Sequence, residues 1–188
     1  MNSRRITRGL FVLIFLCLPA FAQDQNTTHF AKNGLVFDYP VGMKFEDRSN
    51  AVGQQLVLTH AGTGAQVMVW ARYDMIDTAE QVAKARKEVF DFFVDAMAKE
   101  FDRQGAKVDR ADKQIEVGGT QASGVRLRAI LQSEAGNADV YSLLLGRRLV
   151  MVSFIGSDKE LSAAASDWAT IRASLRIEEV DRTTKPPG

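Results

Sequence analysis

Histidine and cysteine, the side chains that most often bind metals or attack substrates, are scarce in this chain. The two histidines are His29 and His60, and the only cysteine is Cys17. A zinc site needs three or four well-placed ligands, and neither histidine has a carboxylate at helical or strand spacing beside it. We therefore expect two ordinary exposed histidines, no metal site, no cofactor and no intrachain disulfide.

Hydroxyl groups also lack the arrangements that catalysis needs. Ser123 follows the Gly118-Gly119 pair, but the G-x-S-x-G elbow is absent and no strand-to-helix turn is predicted there. Ser153 falls in the middle of a predicted strand, and Ser157 is best explained as a helix cap. The sequence therefore predicts no catalytic residue and a protein that is not an enzyme.

Acidic residues gather in two places, but without the D-x-D-x-D-G pattern of a calcium loop. Carboxylate pairs can serve acid-base chemistry, whereas charges on strand edges discourage edge-to-edge aggregation. We interpret both groups as solvated strand edges. They are Asp38, Glu46 and Asp47, and further on Asp109, Asp112 and Glu116.

Four arginines form the one group of residues in the sequence that suits binding of a partner or ligand. Arg126 and Arg128 lie in one predicted hairpin, and Arg147 and Arg148 lie in the next. If the hairpins are neighbours, the four arginines make a positive patch suited to carboxylate or phosphate groups. The alternative, which the alternating positions favour, is an outward-facing strand and a charged hairpin tip. We retain the four arginines as a candidate interaction patch.

The first 22 residues have the pattern of an export signal. Three arginines precede the apolar stretch 10–18, and the small-x-small site Ala20-Phe21-Ala22 follows. Cleavage is predicted between Ala22 and Gln23, which gives a periplasmic or secreted protein. A lipid anchor on Cys17 is the alternative, but the bulky Leu16 before this cysteine argues against it.

Composition excludes further classes of partner. Removing the three signal arginines lowers the Lys and Arg count from 24 to 21, against 23 Asp and Glu. No basic stripe with interleaved aromatic residues is present, so nucleic acid is not an expected partner. After the signal, no apolar run approaches the about 20 residues that cross a membrane.

Alternating apolar and polar residues predict an antiparallel strand-rich domain. Turn signals separate the strands, most clearly Gly118-Gly119, where both residues of a two-residue hairpin turn need positive φ. The predicted strands cover Leu35–Tyr39, Met43–Glu46, Gln54–Thr59, Ala65–Tyr73, Ile115–Val117, Ala122–Leu131, Ala138–Leu145, Leu149–Ile155 and Leu175–Ile177.

Two capping boxes mark the starts of two helices, at Thr78 with Gln81 and at Ser157 with Glu160. The first helix is predicted to run unbroken to near Gly105, and the second to carry Trp168 on its apolar face. The first apolar face is expected to hold Val82, Ala85, Val89, Phe92, Phe93, Ala96 and Met97. Phe90 falls off this stripe and is expected to be exposed.

These elements predict one α+β domain at 34–179 with a mainly antiparallel sheet and two main helices. A flexible leader at 23–33 is expected before the domain, and a polar tail at 180–188 after it. The helix aromatics, with Trp70 and Tyr73, either fill the core or line an apolar pocket.

The order of the pieces resembles the PsbP-like superfamily, and in particular its bacterial cell-envelope branch of DcrB-type proteins. The resemblance covers about Gly34 to Ile177. It is carried by the segments GLVFDYPVGM, VMVWARY, IEVGGTQASGVRLR, VYSLLLGRRLVMVSFIG and IRASLRI. It implies an α/β/α sandwich and a role in binding or assembly, without catalytic residues.

Two functions follow from the residues and the resemblance together. The first is an exported, non-enzymatic interaction or assembly module with a protein partner in the cell envelope. The alternative is a periplasmic carrier that binds a small apolar or anionic ligand between helix and sheet.

Overall fold

A seven-stranded antiparallel sheet forms the centre of the protein. The computed structural model describes residues 26–131 and 133–178. The strand order in the large sheet is β3-β4-β5-β9-β8-β7-β6. Its strands are β3 (Lys44–Asp47), β4 (Gly53–Thr59), β5 (Gln66–Arg72), β6 (Val108–Val117), β7 (Thr120–Leu131), β8 (Glu134–Leu145) and β9 (Arg148–Ser157).

A second, three-stranded sheet has the order β1-β2-β10. Its strands are β1 (Thr27–Lys32), β2 (Leu35–Pro40) and β10 (Arg176–Ile177). The expectation of a flexible leader is wrong for Thr27–Lys32, which pairs along its whole length with β2. Its anchor is Phe30, whose ring lies 5.1 Å from that of Phe37 and 5.5 Å from that of Phe45.

The large sheet is covered on both faces by separate cores. On one face, Leu56, Val69 and Val152 pack with β2 and with the helix α4 (Ala165–Ser174). On the other face, Val125, Leu127 and Val140 pack against the helix α2 (Phe92–Arg103). The helices therefore lie on opposite sides of the sheet, as alternation of side chains along each strand requires.

The predicted long helix is interrupted by a π-helical segment. It begins as α1 (Ala79–Arg86), passes through the π-helical turn Lys87–Asp91 and continues as α2. The burial expected for two phenylalanines is reversed, because Phe90 is 1% exposed and Phe92 is 71% exposed.

The reason for the reversal lies in two apolar stripes that are offset by one residue. Val82 and Ala85 form the first stripe, and Phe90, Val94 and Met97 form the second. The step from Ala85 to Phe90 is five residues, so a wider turn is needed to bring both stripes to the sheet. The extra residue turns Phe92 toward solvent.

The second predicted helix is also divided. The short helix α3 (Asp158–Ala163) starts at the Ser157–Glu160 capping box, and α4 follows after a break at Ala164. The ring of Trp168 stacks on Phe154 at 5.4 Å, which confirms that this helix supplies Trp168 to the core.

The Gly118-Gly119 turn between β6 and β7 has the predicted conformation. The φ angles are 55° and 74°, and the Gly118 amide donates to the Arg172 carbonyl at 2.8 Å. A Cβ at Gly118 would lie 2.0 Å from the Leu175 carbonyl oxygen. Glycine is therefore needed for the turn and for its contact with the end of α4.

The predicted signal peptide, its cleavage site at Ala22 and Gln23, and the polar tail 180–188 lie outside the described residues. Within residues 26–131 and 133–178, the helices are too short or too polar to cross a bilayer.

Candidate interaction surface

One part of the large sheet has a face that no helix covers. We call it the open face, and it consists of the side chains of Asp109, Ala111, Arg126, Arg128 and Ile130 on β6 and β7. These residues alternate with Val125 and Leu127, which pack toward α2, so they point to the opposite side. Asp109, Ala111, Arg128 and Ile130 are all exposed, which shows that α4 does not extend over this half of the sheet.

Arg126 is held in place by a nearly buried carboxylate. Its guanidinium donates two hydrogen bonds of 2.6 Å to Asp139, its cross-strand neighbour on β8. Asp139 is 7% exposed. The hydrogen bond to Asp139 raises the pKa of Arg126 above its usual value. A fork-to-fork pair of this kind fixes the direction of the guanidinium as well as its position.

Tyr141 lies beneath this pair. Its hydroxyl is 3.5 Å from an Asp139 oxygen, and burial, with the negative charge of Asp139, raises the pKa of Tyr141 to about 12. Its ring lies over Gly124, where a Cβ would approach the Tyr141 Cδ1 to 2.4 Å. The glycine therefore provides the space in which this ring supports the ion pair.

Arg128 belongs to a second, more exposed network. It donates to both oxygens of Asp158, at 2.9 and 2.8 Å, and Asn137 donates to the same carboxylate at 2.9 Å. The hydrogen bond from Arg128 lowers the pKa of Asp158. Because Asp158 is the first residue of α3, the network joins β7 and β8 to this helix.

Arg147 and Arg148 lie at the other end of the same strands. Arg147 pairs with Asp77 before α1. Arg148 is 6% exposed, and burial lowers its pKa. It donates to the carbonyl oxygens of Asn33, Ala71 and Arg72 and to Gln54 Oε1.

The structure therefore brings together two of the four candidate arginines and separates them from the other two. Arg126 lies opposite Asp139 and Arg148 lies opposite Leu145. These positions are six residues apart on β8, or roughly 20 Å at the rise of an extended strand. Arg126 and Arg128 lie on the open face, whereas Arg148 ties the β1–β2 turn to the large sheet.

The partners of the open-face arginines were not identified from the sequence. Asp139 carries a usable signal, because it is a charged residue within an apolar run that forms the centre of a strand. Asp158 carries none, since the first turn of a helix favours acidic residues in any protein.

A groove of about 640 Å³ adjoins the open face at the β7–β8 hairpin. Phe101, Ala129 and Ile155 contribute apolar surface to it, and Glu134 and Glu160 contribute acidic groups. Asn137 belongs both to this groove and to the Arg128 network. The volume is within the usual range for small-ligand sites.

The histidines make ordinary polar contacts. His29 Nδ1 lies 2.6 Å from Asp38, and His60 Nε2 lies 3.6 Å from Asp167. In the part of the chain that the structure describes, no group of three or more His, Cys, Asp or Glu residues is placed to hold a metal ion.

Comparison with solved structures identifies the fold. The solution structure of cyanobacterial PsbP (CyanoP) from Synechocystis sp. PCC 6803 matches with a TM-score of 0.53 and 13% identity, covering 87% of this chain and 99% of that one. The fold is PsbP-like. This confirms the predicted α+β class and the PsbP-like part of the predicted resemblance.

A second structure supports the same fold. A crystal structure of a protein from Bacteroides thetaiotaomicron VPI-5482 matches with a TM-score of 0.54 and 9% identity, covering 82% of this chain and 49% of that chain. No family model and no curated protein sequence matches the chain. The PsbP-like likeness therefore rests on backbone architecture.

Proposed function

We propose that this PsbP-like protein is an exported, non-enzymatic interaction module of the DcrB type that binds a protein partner in the cell envelope through its open face. The observation that carries the proposal is a half-sheet whose polar side chains are fixed in position but left uncovered. The predicted export signal, with cleavage expected between Ala22 and Gln23, supports the proposed location.

The fixed conformation of the open-face arginines favours protein binding. Arg126 and Arg128 each donate two hydrogen bonds to a carboxylate, so little side-chain entropy remains to be lost when a partner binds. Arginine is enriched at the centres of protein interfaces. Ile130, which is 61% exposed, adds an apolar contact beside Arg128.

The charge balance of the open face also favours a protein over an anionic polymer. Asp139 and Asp158 neutralise Arg126 and Arg128, and Asp109 lies directly across from Arg128. A surface of mixed, paired charges has no strong field of one sign. It therefore suits a partner of similarly mixed charge, whose own donors and acceptors complement those of the open face.

Co-purification from the native envelope tests this proposal with two matched variants. Ile130→Glu places a charge in the open face, whereas Val52→Glu does the same at a similarly exposed valine beyond the opposite end of the sheet. We expect Val52→Glu to retain the partner captured by the unmodified protein and Ile130→Glu to lose it. Equal capture by both variants, with both proteins folded by circular dichroism, would contradict the proposal.

A second candidate function is a carrier for a small, largely apolar ligand in the groove beside Phe101. The groove lies at the end of α2 against the sheet, where a helix-to-sheet site was predicted. Native mass spectrometry of protein isolated from its host tests this function. A small-molecule adduct that disappears in Ala129→Trp, which fills the groove, supports a carrier, and an adduct-free spectrum of the unmodified protein argues against it.

A further inference from the structure

A second groove, on the helix-covered side of the large sheet, contains an arginine that makes no hydrogen bond or ion pair with the described residues. Arg86, Asp112, Lys113, Gln114, Ser123 and Gly124 line this cavity of about 490 Å³. Asp112, Gln114 and Ser123 share the strand face of Val125, so they point toward the helices. The groove therefore lies on the opposite side of the sheet from the open face.

Arg86 differs from every other arginine in residues 26–131 and 133–178. Each of the others donates at least one hydrogen bond to a carboxylate, an amide oxygen or a carbonyl. Arg86 is half-buried, and its guanidinium lies over the Phe90 ring, whose centroid is 4.9 Å from the guanidinium carbon. None of the described residues accepts a hydrogen bond from its five N–H donors, which leaves them available to a ligand.

The π-helical turn fixes this arginine in its place. Arg86 is the last residue of α1, and the wider turn that follows it buries Phe90. The buried ring supports the guanidinium through a cation–π contact. π-Helical turns within α-helices occur frequently at functional sites, and here the turn presents a supported, unpaired cation to the groove.

The opposite wall carries an unpaired anion. Among the described residues, the Asp112 carboxylate makes no hydrogen bond or ion pair, and it lines the same cavity as Arg86 without being paired to it. Gln114 and Ser123, cross-strand neighbours, add an amide and a hydroxyl. Lys113 also lines the cavity, but it alternates with Asp112 and Gln114, so its side chain points to the other face of the sheet. One groove thus offers the Arg86 cation, an anion and neutral hydrogen-bonding groups.

We infer that this groove binds a small zwitterion of the amino-acid type, with its carboxylate on Arg86 and its ammonium group near Asp112. A guanidinium fork matches a carboxylate in shape and charge. A ligand with one charge would satisfy only one of the two unpaired groups. The site is independent of the open face, so either proposal can fail without the other.

NMR titration of the ¹⁵N-labelled chain tests the inference, read at the backbone amides of Ser123 and Gly124. The additions are L-alanine, acetate, methylammonium and inorganic phosphate, each as a separate titration. We expect L-alanine to bind at least about tenfold more tightly than acetate or methylammonium, because it makes both charge-assisted contacts.

Variants separate binding at the groove from general effects of charge. Arg86→Gln is expected to weaken L-alanine binding at least about tenfold, whereas Arg103→Gln on the outer surface of α2 leaves it unchanged. Asp112→Asn, an exposed substitution that leaves the core intact, is expected to remove the preference for L-alanine over acetate. No response to any addition, tighter binding of phosphate than of L-alanine, or unchanged binding in folded Arg86→Gln would overturn the inference.

Discussion

The strands β6 to β8 have two faces with opposite properties. Toward α2, Val125 and Leu127 are buried beneath Phe90 and Val94. Toward the other side, Arg126 and Arg128 meet solvent, and each is held by a carboxylate. The first face holds the fold together, whereas the second is ordered without being covered. This difference separates residues that serve stability from residues that are available for recognition.

The largest expected effect comes from the covered face. Phe90→Ala should lower the free energy of unfolding by about 3–5 kcal/mol, because it leaves a cavity in a fully packed core. Phe92→Ala, two residues away, should change it by less than about 0.5 kcal/mol, since this side chain is exposed. Urea unfolding of both variants measures the contrast, and equal losses would show that the π-helical assignment is wrong.

The next effect distinguishes a buried arginine from the open-face arginines. Arg148→Met should destabilise the protein by about 3 kcal/mol, because it leaves buried carbonyl oxygens and Gln54 without their donor. The neighbouring Arg147→Met removes an exposed pair and should leave the urea midpoint unchanged. If the two variants unfolded at the same urea concentration, Arg148 would not be the connection between the two sheets that we describe.

A smaller effect concerns the group beneath the open face. Tyr141 should titrate near pH 12 rather than at 10.0. Because the unfolded chain releases this proton at lower pH than the folded protein, stability should fall as the pH rises through that window. Asp139→Asn removes a negative charge and should lower the pKa of Tyr141, though not below its usual value, since burial is the larger cause. Ultraviolet absorbance of tyrosinate follows both titrations, and an unchanged pKa in Asp139→Asn would contradict the proposed contact.

The smallest effect on stability should come from the open face itself. Arg128→Ala breaks an exposed pair and should leave the urea midpoint unchanged, because such pairs contribute little in water. The same substitution should reduce capture of the envelope partner. If Arg128→Ala lost stability but still captured the partner, Arg128 would stabilise the fold and would not take part in partner binding.

Alternation and turn chemistry account for most of what could be predicted. The hairpin at Gly118-Gly119, the outward direction of Arg126 and Arg128 and the start of α1 at Thr78 all follow from local rules. The predicted positions for Phe90 and Phe92 were wrong because a regular helical period was assumed across two stripes that need an extra residue between them.

What local rules could not supply are the contacts between distant segments. Arg148 was grouped with Arg126 because both are arginines near hairpins, but its partners come from Asn33, Gln54 and Ala71, which are distant in the sequence. Strand β1 was likewise missed, because its extended conformation comes from pairing with β2 and its polar composition gives no strand signal. Which half of the sheet stays uncovered depends on where α4 packs, and that position depends on contacts between distant segments, such as that of Gly118 with Arg172.

Site-specific photocrosslinking in intact cells tests the central claim, that the open face contacts a protein partner, most directly. A benzophenone amino acid is placed at Ala111 on the open face or at Ala96 on the outer surface of α2, both of which are exposed alanines. We predict a discrete crosslinked polypeptide from position 111 that is absent from position 96 and is lost when Ile130→Glu is added. The same products from both positions, or none from position 111, would contradict the account.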